Sequence, residues 1–357
     1  SESSKLSRNI ILSHAVATGA SLPWEVVRAA MLVRANTLAQ GYSGVRLEVV
    51  QTLLDMLNAG VTPQVPSQGS LGSSGDLSLL SHIALVLTTD ELDLEEESGV
   101  AEFQGELLTG KEAMQRAGIK RIVPGPKEGL ALTNGATISA ALAALNIADA
   151  MYLVNLGEMA TALSLEALLG RSDAFDERMH QARGLTGQIR SAEAIRRNFA
   201  GSSYIDSTHR VQDAYSLRCS PQVHGAARDV IEFARGIIEK EINAATDNPL
   251  IFEPDVAISG GNFHGEPVGL VMDYLGIALA EVGAISERRV YRLTDGNLNA
   301  GLPAMLVDTE EAAGLNSGLM MPQYTAVSLV LENETLATPD SVHSLPTSGA
   351  QEDHNAN

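Results

Sequence analysis

The chain has 357 residues, is 45% hydrophobic but only 4% aromatic, and carries a formal net charge of -20. That charge argues against a nucleic-acid-binding surface, which needs a basic face. The single cysteine, Cys219, excludes an intrachain disulfide and a thiolate metal cluster, and fits a reducing, cytoplasmic setting.

The length can bury a large core or two, and the abundance of Ala and Leu favours helix over sheet. In chain order, Arg8–Ala15 reads as a short apolar helix ending near Gly19. Helices over Trp24–Leu38 and Val45–Asn58 follow, broken at Gly41 and Gly44. Residues 61–67 hold two prolines and read as an extended lead-in to a glycine-rich loop. The apolar density of Leu77–Leu87 predicts a buried helix. The acidic cluster at 89–98 predicts a solvated loop, and residues 101–127 a hairpin around Gly105 with a helix over Lys111–Ala117.

From Asn134 to Leu169 the pattern is almost continuously helical. Further long helices are expected over Ser220–Ala244, Pro267–Leu293 and Gln323–Leu336. Residues 171–206 are the best candidate for a mobile loop. No apolar run is expected to span a membrane, and residues 1–20 do not read as a signal peptide. The fold class is therefore mainly α, a long-helix bundle with a small mixed N-terminal region. A cut after residue 130 separates the N-terminal region from the central bundle at 131–357.

The stretch with the most chemical information is Gln68-Gly69-Ser70-Leu71-Gly72-Ser73-Ser74-Gly75-Asp76, which runs straight into Leu77. Three readings compete for it. It can cradle a phosphate with backbone N–H groups at a helix N-terminus, although it lacks the Gly-Lys-Ser/Thr ending of a P-loop. It can be a turn capped by Ser74 or Asp76. It can also be a self-made electrophile, in which the Gly75 nitrogen attacks the Ser73 carbonyl. Loss of one water closes a five-membered ring, and dehydration of Ser74 leaves an exocyclic methylidene. Glycine suits the attacking position because its Cα does not obstruct a compressed turn.

Residues 69–77 resemble the Gly-Ser-x-Gly-Ala-Ser-Gly-Asp-Leu motif of the aromatic amino acid ammonia-lyase family, with Ser73 where that family usually has Ala. The resemblance extends through Thr133-Asn134-Gly135, Val211–Cys219 with Pro221–Gly225, Ala244–Leu250, Ser259–Gly265 and Ser348–His354. It implies a fumarase/aspartase-like helical architecture. It also implies the cofactor 4-methylideneimidazol-5-one (MIO), formed from Ser73-Ser74-Gly75, and a homotetramer with active sites shared between subunits. It places Asn134 beside the cofactor, Arg218 on the substrate carboxylate, Tyr215 close to the reacting amine, Gln212 along the pocket and Phe263 against the cofactor. His264 is expected to play a structural, hydrogen-bonded part.

Two positions bear on substrate. Ser13-His14 matches the histidine-directed version of a selectivity pair, and Glu352 falls where phenylalanine and tyrosine lyases often carry an amide. An imidazole substrate pairs with both groups, whereas a phenyl ring would leave them unpaired in a closed pocket. The resemblance thus implies elimination of ammonia from L-histidine to give trans-urocanate. In the family the methylidene captures the amine and a tyrosine takes the β-proton, so covalent attachment divides a hard step. Three alternatives stand beside this reading: a phenylalanine or tyrosine lyase, an aminomutase, and a catalytically silent scaffold. No paired-ligand spacing among the eight histidines suggests a metal. The family's base lies in an upstream Tyr-Gly-x-Asn-Thr-Gly-Phe-Gly loop, and a long helical part follows its Gln-Glu-Asp-His. The sequence from Ser1 to Asn357 contains neither, so the shortened chain is expected to be inactive or nearly so.

Overall fold

The computed structural model describes residues 2–72, 76–254, 256–312 and 314–355. The described chain is mainly helical. Helix α1 (Glu2–His14) leads into strand β1 (Thr18–Ser21), and helices α2 (Trp24–Ala39) and α3 (Leu47–Ala59) follow. Strands β2 (Thr62–Pro63) and β3 (Pro66–Gln68) precede α4 (Leu77–Leu87). The hairpin β4 (Val100–Phe103) and β5 (Glu106–Thr109) precedes α5 (Gly110–Arg116) and α6 (Glu128–Thr133). Next come α7 (Thr137–Ala167), α8 (Glu177–Arg183), α9 (Thr186–Asn198), α10 (Tyr215–Arg218) and α11 (Ser220–Glu241). The hairpin β6 (Leu250–Glu253) and β7 (Val256–Ile258), then α12 (Glu266–Thr294) and α13 (Met320–Leu336), complete the elements.

Contacts divide the chain into two compact units. One holds Ser1–Asn146, Gly236–Val271 and Asp340–Asn357; the other holds Ile147–Arg235 and Met272–Pro339. In the first, α1, α2, α3, α4 and α6 surround a core of Ile11, Met31, Leu38, Leu53, Met56, Leu80 and Leu87, all 2% exposed or less. Short antiparallel pairings trim its edge: β1 with β3, β2 with β4, β4 with β5, and β6 with β7. In the second, Leu165, Phe175, Ile195, Phe199 and Leu217 form a buried cluster.

Four sequence expectations are corrected. The helix expected across Asn134–Leu169 is present as α7 but starts at Thr137, because Asn134 is extended (ψ 130°) and Gly135 takes φ +118°. A Cβ on residue 135 would lie 2.2 Å from the Thr246 carbonyl oxygen, so this close backbone approach needs glycine. Second, the segment expected to be a mobile loop at 171–206 folds into α8 and α9. Its polar residues hid an amphipathic stripe (Gln188, Ala192, Ile195), and Phe175 meets Phe199 edge-on at 5.5 Å. Third, the acidic segment at 89–98 is not wholly solvated, since Asp93 pairs with Arg121 at 2.6 Å and Lys111 at 3.1 Å. Fourth, two helical stretches, Glu128–Ala167 and Glu266–Thr294, are long and apolar enough to cross a membrane by length and composition. Bundle helices rich in Ala and Leu pass the same test. Along α12 the buried positions Val268, Val271, Leu275, Ala278 and Val282 recur every three or four residues, as a bundle helix requires.

Candidate active site

Ser73, Ser74 and Gly75 lie outside the described residues, so the site is built from what holds their two ends. On the downstream side Asp76 is fully buried. It does not cap its own helix α4. Its Oδ1 instead accepts from Ser70 Oγ (2.8 Å) and Ser139 Oγ (3.2 Å), and its Oδ2 accepts from Ser139 N (3.0 Å). Burial pushes the Asp76 carboxyl up, and these hydrogen bonds pull it part of the way back. One carboxylate thus ties both flanks of the triplet to the first turn of α7. On the upstream side, a Cβ at Gly265 would sit 1.9 Å from the Gly72 carbonyl oxygen. The turn before α12 therefore presses directly on the loop. These contacts fix the two flanks, Gly72 and Asp76, between which the Ser73-Ser74-Gly75 triplet lies.

Asn134 sits at the α6–α7 break and is 4% exposed. Its Nδ2 donates to Asp247 Oδ1 (3.1 Å) and to the Asn248 carbonyl (3.3 Å). Asp247, 1% exposed, also receives Lys127 Nζ on Oδ2 at 2.6 Å. Arg34 stitches the break from below, donating to the Ala131 carbonyl (2.9 Å) and Thr137 Oγ1 (3.1 Å). Burial pulls this guanidinium down to about 10 despite Asp247 and Asp76 nearby, so it stays charged at neutral pH.

His14 ends α1, half-buried, with its Nδ1 2.9 Å from Ser13 Oγ. Phe263 is half-buried in the turn before α12. The neighbouring His264 accepts from Glu266 N at Nδ1 (3.2 Å), so its Nε2 carries the proton donated to the His354 carbonyl (3.2 Å). The His264 and His354 rings stack at 6.0 Å. This pairing joins the Ser259–Gly265 motif to the Ser348–His354 motif and bears out the structural part expected of His264. Glu352 is exposed, with Oε2 accepting from Thr347 Oγ1 at 2.7 Å.

Gln212, Tyr215 and Arg218 belong to the second unit. Gln212 is exposed, and Tyr215 is 70% exposed at the start of α10. The Arg218 guanidinium lies 4.6 Å from the Tyr215 ring centroid, a cation–π arrangement. Its Nε is buried and has no hydrogen-bond partner among the described residues. The helix carrying them is fixed by buried Ser216 and Leu217. The Ser216 carbonyl accepts from Ser220 Oγ (2.9 Å) and Arg289 Nη1 (3.3 Å).

The first unit thus brings together the loop flanks, Asn134, Phe263 and the Glu352 segment, while Gln212, Tyr215 and Arg218 cluster in the second. The supporting residues Asp247, Lys127 and Arg289 carried no sequence signal beyond lying in or near matched motifs. Their bonds to one another, to Asn134, to Ser216 and to Ser220 span 69 or more positions, so spacing could not reveal them.

The profile of the family described as aromatic amino acid lyase matches residues 1–357. The histidine ammonia-lyase of Alkaliphilus oremlandii is 51% identical over 357 residues, covering 99% of this chain and 68% of that protein. The crystal structure of histidine ammonia-lyase from Trypanosoma cruzi superposes with a TM-score of 0.89 at 39% identity, over 99% of this chain and 66% of that one. The phenylalanine aminomutase of Pantoea agglomerans gives a TM-score of 0.92 at 33% identity, over 99% and 70%. The chain spans about two thirds of the length of these relatives. With its glycine loop pinned at both flanks and with this match along its whole length, the chain belongs to the aromatic amino acid lyase family.

Proposed function

We propose that this chain carries the ammonia-lyase reaction on L-histidine, releasing ammonia and trans-urocanate. The observation that carries the proposal is the 51% identity over 357 residues to a histidine ammonia-lyase. Two local features support it. The Ser73-Ser74-Gly75 triplet sits between anchored flanks, and His14 and Glu352 are suited to hydrogen-bond a substrate imidazole.

In this reading the triplet matures to MIO, which supplies an electrophile toward the substrate amine. This chain's side chains bind and orient the substrate, and removal of the β-proton is left to the tyrosine of the family's upstream loop. Arg218 holds the carboxylate through its planar fork of donors. Tyr215, with its ring against Arg218, lies beside the amine. Asn134 fixes the reacting end, Phe263 packs against the loop and Gln212 lines the pocket. His14 and Glu352 orient the imidazole and disfavour a phenyl side chain. The assembly proposed is a homotetramer with shared sites, and the location proposed is the cytoplasm.

The test has two parts. The intact mass of the purified chain is expected to fall short of the sequence mass by two waters, located in the peptide spanning Gln68–Leu80. Ser74→Ala is expected to abolish the Ser74 dehydration. Urocanate formation is then followed with histidine, phenylalanine and tyrosine, on the chain itself and on the chain joined to the family's upstream tyrosine loop. An unmodified mass would leave a silent scaffold. A β-amino acid product would make the protein an aminomutase.

A further inference from the structure

Asn134 is held by two acceptors, the Asp247 carboxylate and the Asn248 carbonyl, at 3.1 and 3.3 Å. Both are acceptors, a carboxylate oxygen and a backbone carbonyl, and the carboxylate is ion-paired with Lys127 Nζ at 2.6 Å. The orientation of a carboxamide is often ambiguous, but here chemistry fixes it, because turning the amide over would set its oxygen against two other oxygens. Asp247 cannot swing away to relieve such a clash. Its side chain is fully buried, Lys127 holds Oδ2, and Asn248 N donates to Oδ1 at 2.7 Å. Lys127 is held in turn by the Ser43 carbonyl at 3.0 Å. Gly135 brings the α6–α7 break within reach of Thr246, the residue before Asp247. The NH2 of Asn134 is therefore spent on the protein, which turns its Oδ1 away from both of those acceptors.

We infer that Asp247, clamped by Lys127, is a positioning residue that holds the Asn134 NH2 on the protein and turns its oxygen the other way, so that Asn134 accepts an N–H from the bound amino acid. It does not donate to a carbonyl or carboxylate. This rests on the reading of Asn134 as an active-site residue given above. It goes further by assigning the polarity of that contact and the residues that impose it. The group best matched to that amide oxygen is the substrate's amine, which carries N–H donors, whereas the substrate carboxylate would be repelled.

Two measurements test the inference. The first needs no turnover. With asparagine labelled with nitrogen-15, the Asn134 side-chain NH2 signals, assigned by their loss in Asn134→Ala, are expected to exchange with solvent at least tenfold more slowly than those of exposed asparagines. Asp247→Asn or Lys127→Gln should restore fast exchange. Fast exchange in the unsubstituted chain would overturn the inference. The second is a double-mutant cycle in the form that turns histidine over. Asp247→Asn is expected to lower kcat at least tenfold with KM within about twofold. In the Asn134→Ala background the same change should cost less than twofold, because a residue acting through Asn134 has nothing left to position. Full additivity would show that Asp247 acts only on the fold and would sink the proposal. Lys127→Gln, expected to give a smaller loss absorbed in the same way, replaces Asp247→Asn if that variant does not fold. If the unsubstituted protein makes no urocanate, the lyase reading fails by itself, and the exchange measurement still decides the orientation.

Discussion

His224 shows how a single buried group can set a pH dependence. It is fully buried on α11, neither ring nitrogen has a hydrogen-bond partner among the described residues, and Gly157 and Val282 crowd its surroundings. Burial, with Arg289 and Arg228 adding repulsion, pulls its pKa to about 3. The unfolded chain binds a proton at this position near pH 6.5 and the folded chain does not. Stability contributed here is therefore complete above pH 6.5 and falls as pH drops toward 3, by up to about 1.4 kcal/mol per unit. His224→Leu is expected to flatten the fall of the thermal midpoint between pH 6.5 and 5. Half-buried His82 and buried His180, whose values are also lowered, leave a residual slope. An unchanged slope would mean that His224 does not contribute. Glu128 acts lower on the scale. It is 2% exposed, and burial alone would raise it. The Arg46 side chain and the Arg46 and Gly125 amides outweigh that cost and lower it below its ordinary 4.5. Its stabilisation is present above pH 4.5 and is lost as acid takes the pH through the lowered value. Glu128→Gln should lose stability at pH 7 and converge on the parent chain in acid, as read by denaturant midpoints.

Between elements, glycines decide which surfaces can meet. A Cβ on Gly225 of α11 would lie 2.4 Å from the Gln188 backbone, and one on Gly187 of α9 would lie 2.1 Å from the Gly225 carbonyl oxygen. The two helices therefore touch backbone to backbone. Gly225→Ala is expected to cost about 1–3 kcal/mol, the usual range for overpacking, visible as a lower urea midpoint with an unchanged slope. A neutral result would mean that α9 can retreat without loss. At the loop, Gly265→Ala should displace Gly72 and reduce the fraction of chain that loses two waters, as measured by intact mass. Full maturation in that variant would show that the Gly265 approach is dispensable. The locations of the long helices and of the β4–β5 hairpin were legible in the sequence, because apolar periodicity and turn residues report on a helix or hairpin locally. The short helix α6 and the close approach of Gly135 to the Thr246 carbonyl were not legible, since that contact joins residues 111 positions apart.

At the scale of the whole molecule, apolar surface is the outstanding feature. Along α13 there is no buried residue, and Met321, Tyr324, Leu329 and Leu331 are each more than half exposed. On α7, Tyr152 and Leu163 are 63% and 66% exposed. Apolar faces of this extent are costly in water and mark interaction surfaces. They support the proposed tetramer, whose native mass should be four times that of the chain. Leu329→Glu is expected to lower that mass, and a monomer in the unsubstituted protein would contradict the proposal.

The sequence by itself determined the family and the helical class, and it supplied the proposal for the residues suited to the chemistry. All three rest on short contiguous motifs, such as Ser73-Ser74-Gly75-Asp76 and Gln212–Arg218, and on local periodicity. It also singled out His264 for a hydrogen-bonded part, which its contacts with Glu266 and His354 bear out. Only the tertiary structure decided how those residues are held. Asp76 grips Ser139, Asp247 grips Asn134, and Arg289 grips the Ser216 carbonyl, across 63, 113 and 73 positions. A hydrogen bond depends on distance in space, and burial removes the water that would otherwise compete for each partner. Neither quantity leaves a regular trace in linear spacing.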